Sequence, residues 1–181
     1  MKKSSKKTKQ LNYDLACGSK KQKGYLGVDI DPKTKADIIW DLNKYPWEFA
    51  KDNSTNNIFC SHYIQHLQGK DFYNFFDECY RILKPGGQMY VVAPYYTSIR
   101  AIQDAFHKTS ISEHTFAYLT KNWRKTNRLD SYNIKCDFEI VKIDYGLTDE
   151  FKGKSQEATI YAIRHFFNVV DDIIATLKKS K

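Results

Sequence analysis

The sequence lacks the features that mark several protein classes. No apolar run approaches the roughly 20 residues needed to cross a bilayer. The four cysteines, Cys17, Cys60, Cys79 and Cys136, are scattered and form no C-x-x-C pair. That pattern fits reduced, packed thiols in a cytoplasmic setting better than a disulfide or zinc framework. Residues 1–10 hold five lysines but neither an acid nor an apolar segment, so they do not read as a secretory leader. No internal repeat is visible. There is no G-x-G-x-x-G, because Lys20 stands where the second glycine of a dinucleotide fingerprint belongs, which argues against a nicotinamide-dependent oxidoreductase. Four histidines, His62, His66, His107 and His114, offer metal ligands. The H-x-x-x-H spacing occurs only at His62/His66, at a strand end and not on a helix, so no metal is expected.

What is present is the composition of a single globular domain. The chain has 181 residues, 41% hydrophobic and 15% aromatic, enough for a genuine core. The net charge of +8 resides in the ends. Removing the eight lysines of residues 1–10 and 178–181 leaves 21 basic side chains against 21 acidic ones. Residues 1–10 read as a disordered, solvated tail, with weak contact to nucleic acid or another anionic surface as the alternative. Residues 11–181 read as one domain.

The hydrophobic pattern alternates between strand and helix. Apolar runs at Leu11–Leu15, Tyr25–Ile30, Ala36–Leu42, Ile58–Tyr63 and Gln88–Ala93 suit buried parallel strands. Lys70–Leu83 is the clearest helix, with Phe72, Phe75, Phe76, Cys79, Ile82 and Leu83 on one face, and it runs into Lys84-Pro85-Gly86-Gly87. Residues 95–135 break the alternation, with a helical stretch near Ser112–Thr120. Cys136–Tyr145 alternates as a half-buried strand, and Glu157–Arg164 is offered as its partner. Phe166–Leu177 reads as a helical stripe, with a strand equally compatible over its first residues.

The organising stretch is Leu11–Pro32, LNYDLACGSKKQKGYLGVDIDP. A strand breaks at Ala16-Cys17-Gly18, and a second strand ends on Asp29 and Asp31. A glycine turn after one strand and an acid at the tip of the next is how a Rossmann-like sheet holds a nucleoside. The Gly18-to-Asp29 interval is 11 residues, short of the roughly 20 in the dinucleotide fingerprint. This stretch resembles motif I and the following acid of class I S-adenosylmethionine (SAM) dependent methyltransferases, the type 11 family in particular. Helix, LKPGG and strand is a second point of similarity.

That resemblance implies an α/β fold: a Rossmann-like, mostly parallel seven-stranded sheet with flanking helices and an antiparallel last strand. It implies a SAM-dependent methyltransferase acting on an unidentified acceptor (small molecule, sugar, lipid or nucleotide). Asp14, Ala16, Cys17 and Gly18 would lie along the methionine portion. Asp29 would take the ribose, with Ile30 beside it, and Asp41 and Leu42 would flank adenine. Ser61 and His62 would face the sulfonium or methionine. Residues 95–135 would cover the acceptor, with Tyr95, Tyr96, Arg100 and His114 in contact with it. His107, and after it His66, are the candidates for catalytic base or for orienting the acceptor. The similarity is partial where Gln65 replaces an acid and Ala105 a proline.

Trp123, Arg124, Lys125 and Arg128 interleave an aromatic with cations, which reads first as a solvated loop and second as a pattern that can stack a base and meet phosphates. Together with the lysine tail it supports the alternative function, a degenerate Rossmann-like nucleic-acid-binding module without methyl transfer. The seven residues between Cys17 and Tyr25 are too few for a crossover helix. Either the crossover is an abbreviated loop or the two runs are not adjacent parallel strands.

Overall fold

The computed structural model describes residues 11–180. The lysine-rich stretch 1–10, expected to be a disordered tail, lies outside them. Seven strands form one sheet: β1 (Asn12–Leu15), β2 (Leu26–Asp29), β3 (Ile38–Ile39), β4 (Thr55–Ser61), β5 (Leu83–Pro94), β6 (Phe138–Leu147) and β7 (Val170–Lys179). Their order is β3-β2-β1-β4-β5-β7-β6. β1 to β5 run parallel, and β7 inserts antiparallel between β5 and β6. The expected mostly parallel α/β sheet with an antiparallel last strand is the fold found.

β1 and β2 are adjacent and parallel, with Tyr13, Asp14 and Leu15 opposite Leu26, Gly27 and Val28. The crossover between them is the abbreviated loop 16–25, without a helix. Gly27 makes this possible. A Cβ there would stand 2.7 Å from Cys17 Sγ and 2.8 Å from Lys21 Cδ, so the loop lies directly on the strand where a helix would otherwise cover it. The Lys21 ammonium and the Gly27 N–H both bond Asp37 Oδ2, at 2.6 and 2.7 Å, which ties the loop to the strand beyond.

Helix α1 (Gly69–Ile82) buries Phe72, Phe75, Phe76, Cys79 and Ile82. Each such large side chain contributes about 1.5–3 kcal/mol on leaving water. Asp71 in its first turn and Arg81 in its last suit the helix dipole. It passes straight into β5, which begins at Leu83, five residues earlier than the apolar run suggests, with a bulge opposite Thr55 and Asn57. Among the described residues no helix is long and apolar enough to span a membrane.

The last third departs from the sequence reading. The expected strand Glu157–Arg164 is helix α5 (Gln156–His165), and the expected helical stripe Phe166–Leu177 is mostly β7. Ser155 Oγ caps α5 by accepting the Ala158 N–H at 3.2 Å. β7 is flanked by strands on both sides and buries Val170, Ile173, Ala175 and Leu177. A strand so enclosed carries a near-continuous apolar run, which satisfies helical and extended periods alike.

Three short helices follow β5: α2 (Ile99–Ile102), α3 (Glu113–Ala117) and α4 (Lys121–Thr126). Arg124 of α4 is buried at 5% exposure. Its guanidinium donates to the carbonyls of Tyr118 (2.8 Å), Ile134 (3.2 Å) and Cys136 (2.8 Å). Trp123 packs on Tyr118, ring centroids 4.6 Å apart. Arg124 of the aromatic–basic stretch is therefore spent on the backbone, while Lys125 and Arg128 are exposed. Arg124→Ala is expected to lower stability in urea denaturation by about 2–4 kcal/mol, the cost of stranding buried carbonyls. Arg124→Lys should recover less than half of that, since an ammonium cannot fork to three acceptors.

Candidate functional site

The candidate residues gather at the carboxyl ends of the parallel strands, where open α/β sheets bind ligands. At the tip of β1 the chain turns sharply. Ala16 has φ +55° and Gly18 φ +54°, a region that costs an alanine about 1–2 kcal/mol and a glycine almost nothing. The turn brings the Gly18 N–H to Asp29 Oδ2 at 2.8 Å, while Asp29 Oδ1 accepts the Asp31 N–H at 2.9 Å. The bend and the acid thus meet across the β1–β2 tips. A Cβ placed on Gly18 would have no atom within 4 Å, so the turn borders open space.

Asp14, at 2% exposure, accepts the Gln22 N–H at 2.7 Å. Burial raises its carboxyl above the usual carboxylate range, with the Gln22 bond and Lys21 opposing. Cys17 is pushed up to about 11, first by burial and then by Asp14 and Asp29, so its thiol stays neutral and unreactive. Its N–H bonds Val28 O at 3.2 Å. Ile30, beside Asp29, is 63% exposed. Asp41 Oδ1 accepts from Asn43 N and Nδ2 at 3.0 and 3.2 Å, closing its own turn. Leu42 is buried and its carbonyl accepts from Trp47 Nε1 at 3.1 Å.

Ser61 and His62 end β4. The His62 N–H bonds Val92 O at 2.8 Å, and the residue is left-handed at φ +56°. Its ring sits between Ser61 Oγ (2.9 Å from Nδ1) and Asp172 Oδ1 (3.1 Å from Nε2). A carboxylate only accepts, so Nε2 carries the proton and Nδ1 accepts from the serine hydroxyl. Arg100 donates to Asp172 Oδ2 at 3.0 Å and pairs with Asp171 at 3.3 Å. In the strand order β1-β4-β5-β7 the ring therefore reaches away from the β1 tip. Neither Asp171 nor Asp172 stands out in the sequence, except as paired acids heading an apolar run.

On the far side, Tyr95 is buried at 2% exposure. Its hydroxyl, which burial and Glu113 drive well above the ordinary tyrosine range, donates to Glu113 Oε1 at 3.0 Å. Tyr145 donates to the same oxygen. Tyr95, expected to contact the acceptor, is buried and bonded to Glu113, whereas Tyr96 is exposed. His114 is exposed on α3. His66 and His107 come together with ring centroids 4.8 Å apart, and Asp104 joins them, with its Oδ2 3.6 Å from His107 Nε2. Ile99, Ile102 and Phe106 are exposed beside this cluster, and the Asn168 contact to Ile99 N (2.7 Å) brings exposed Phe166 and Phe167 to the same rim.

Residues 13–91 match the family model described as a methyltransferase domain. No curated protein matches the chain. Among solved structures, a SAM-dependent methyltransferase from Archaeoglobus fulgidus superposes with a TM-score of 0.66 at 18% identity, over 96% of this chain and 87% of that one. A SAM-dependent methyltransferase from Methanosarcina mazei gives 0.61 at 14% identity, over 95% and 93%. Haemonchus contortus phosphoethanolamine N-methyltransferase 2 in complex with S-adenosyl-L-methionine gives 0.52 at 16%, over 95% of this chain and 49% of that one. Residues 13–91 thus match a methyltransferase-domain family, and the chain as a whole has the fold of these SAM-dependent methyltransferases.

Proposed function

We propose that the chain binds S-adenosylmethionine over the β1–β2 tips and transfers its methyl group to an acceptor held against the β4, β5 and β7 tips. The observation that carries this reading is the Gly18–Asp29 contact, which sets a carboxylate and an open glycine turn at one point. The donor set fits the ligand. Asp29 keeps acceptor capacity on both oxygens for ribose hydroxyls, exposed Ile30 offers an apolar surface to adenine, and Asp14 provides negative charge near the cationic methionine end. Bound there, S-adenosylmethionine supplies an electrophilic methyl group on a sulfonium.

The remaining work is alignment and proton removal. Asp172 fixes the His62 tautomer, leaving Nδ1 free to draw a proton through Ser61 Oγ, the logic of a histidine oriented by a carboxylate. The acceptor enters over the apolar rim of Ile99, Ile102, Phe106, Phe166 and Phe167. In this reading the first half of residues 95–135 covers the acceptor and the second half is a structural crossover.

Titration calorimetry with S-adenosylhomocysteine is expected to give one site per chain, weakened at least tenfold in Asp29→Ala; no binding by the wild type, or equal binding by both, would count against the reading. Asp14→Asn should weaken binding while stabilising the fold. Because the folded Asp14 carboxyl lies above its unfolded value, stability falls as pH rises through the folded value, and the cost persists above it. The variant should therefore melt higher than the wild type at pH 7 and match it at pH 3. With labelled S-adenosylmethionine in a cell extract, mass spectrometry should find methylated product. His62→Gln should reduce it by roughly a hundredfold or more while changing S-adenosylhomocysteine affinity less than about threefold.

A further inference from the structure

We propose that His66, Asp104 and His107 form a binding site for one divalent first-row transition-metal ion. Their ligating atoms all lie within 4.8 Å of one another. His66 comes from the turn after β4, and Asp104 and His107 from the loop after α2, so no local spacing announces the set. The two segments are held together by backbone. The Gln65 carbonyl accepts both the Lys108 N–H (2.8 Å) and the Thr109 N–H (3.1 Å), and Thr109 Oγ1 donates to Leu67 O at 2.6 Å.

The hydrogen bonds around the cluster fix which atoms face inward. His107 Nδ1 lies 3.0 Å from Ala101 O, and His66 Nδ1 lies 3.4 Å from Phe106 O. A carbonyl only accepts, so in each neutral ring Nδ1 holds the proton and Nε2 presents a lone pair. A backbone carbonyl on the outer nitrogen is the support that metal-bound histidines ordinarily have. Asp104 Oδ1 is occupied by the Phe106 N–H at 2.8 Å, which leaves Oδ2 toward His107. The 3.6 Å from His107 Nε2 to Asp104 Oδ2 is too long for a hydrogen bond, and His66 Nε2 has only the Gln65 amide, at 3.5 Å. Lone pairs thus converge without a direct bond between them, an arrangement that a cation relieves. Gln65, at 3% exposure, also carries an Oε1 with no partner, in the side chain whose Nε2 approaches His66.

Two imidazoles and one carboxylate, with a net charge of −1, select a borderline ion such as zinc, cobalt, iron or manganese over the all-oxygen preference of calcium or magnesium. Metal–ligand distances near 2.1 Å place neighbouring ligand atoms about 3.4 Å apart. The His107–Asp104 pair is already close to that, and His66 needs a side-chain movement of roughly 1 Å. Three protein ligands leave coordination positions open. On the methyl-transfer reading, on which this consequence alone rests, an acceptor bearing a hydroxyl or carboxylate oxygen occupies one of them.

The test is titration of the chelator-stripped full chain with Co²⁺, following visible absorption, with metal content measured after gel filtration. One equivalent should bind. His107→Asn and His66→Asn should each weaken it by about a hundredfold, Asp104→Asn by about tenfold, and His165→Gln not at all. Absence of uptake by the wild type, or undiminished uptake by circular-dichroism-verified folded His107→Asn and Asp104→Asn, would overturn the assignment. S-adenosylhomocysteine binding, measured on stripped and loaded protein, should be unchanged; its failure in both would remove the methyl-transfer reading and leave the metal site standing.

Discussion

The structure turns on carboxylates that take the place of a helix. Parallel neighbours ordinarily need a crossover long enough for a helix to cover the sheet, yet β1 and β2 are joined by loop 16–25. Its backbone is held by side-chain acceptors instead, Asp29 on Gly18 at 2.8 Å and Asp14 on Gln22 at 2.7 Å, while Asp37 joins the Lys21 ammonium of the loop to the Gly27 N–H of β2. The loop can lie against β2 because Gly27 has no side chain to lift it. Two of the three carboxylates, Asp14 and Asp29, are also the groups to which the proposed function assigns the ligand. On the proposed function, closing the fold and preparing the site are one set of interactions, and burial raises the Asp14 carboxyl within it.

Parts of this were legible because local chemistry determined them. Leu11–Pro32 announced strand, turn, strand and acid, and the structure joins Gly18 to Asp29 directly. The α1 face was readable because Phe72, Phe75, Phe76 and Cys79 recur at helical spacing against polar neighbours. The α5–β7 exchange was not. Whether Val169, Val170, Ile173, Ile174 and Leu177 form a helix face or an enclosed strand depends on flanking strands, and those partners, β5 and β6, are distant in sequence. Arg124 misled for a related reason: a guanidinium aimed at three backbone carbonyls has the same sequence signature as one aimed at phosphate.

The surroundings of His62 and His66 were the least legible, since their groups are assembled by topology. His62 meets Asp172, 110 residues away, only because β7 inserts beside β5. His66 meets Asp104 and His107 only because the Gln65 carbonyl ties two loops together. Spacing within one helix is a sound rule for metal sites built on a helix, but it says nothing about sites built across loops.

The extent of the family match follows the same division. It ends at residue 91, within β5, so it spans the tips of β1 to β4 and stops before the segments that follow β5. Structural similarity continues over 96% of the chain at 18% identity, because sheet order depends on burial pattern and not on residue identity. A nucleoside makes the same demands on any such sheet, namely a glycine turn and a carboxylate at adjacent tips. An acceptor makes different demands in each enzyme. The loops after β4 and β5 and the α5 insertion before β7 are free to vary without disturbing the sheet. In this chain they bring together histidines, acids and exposed apolar side chains, and the proposed function assigns acceptor specificity to them and not to the strands.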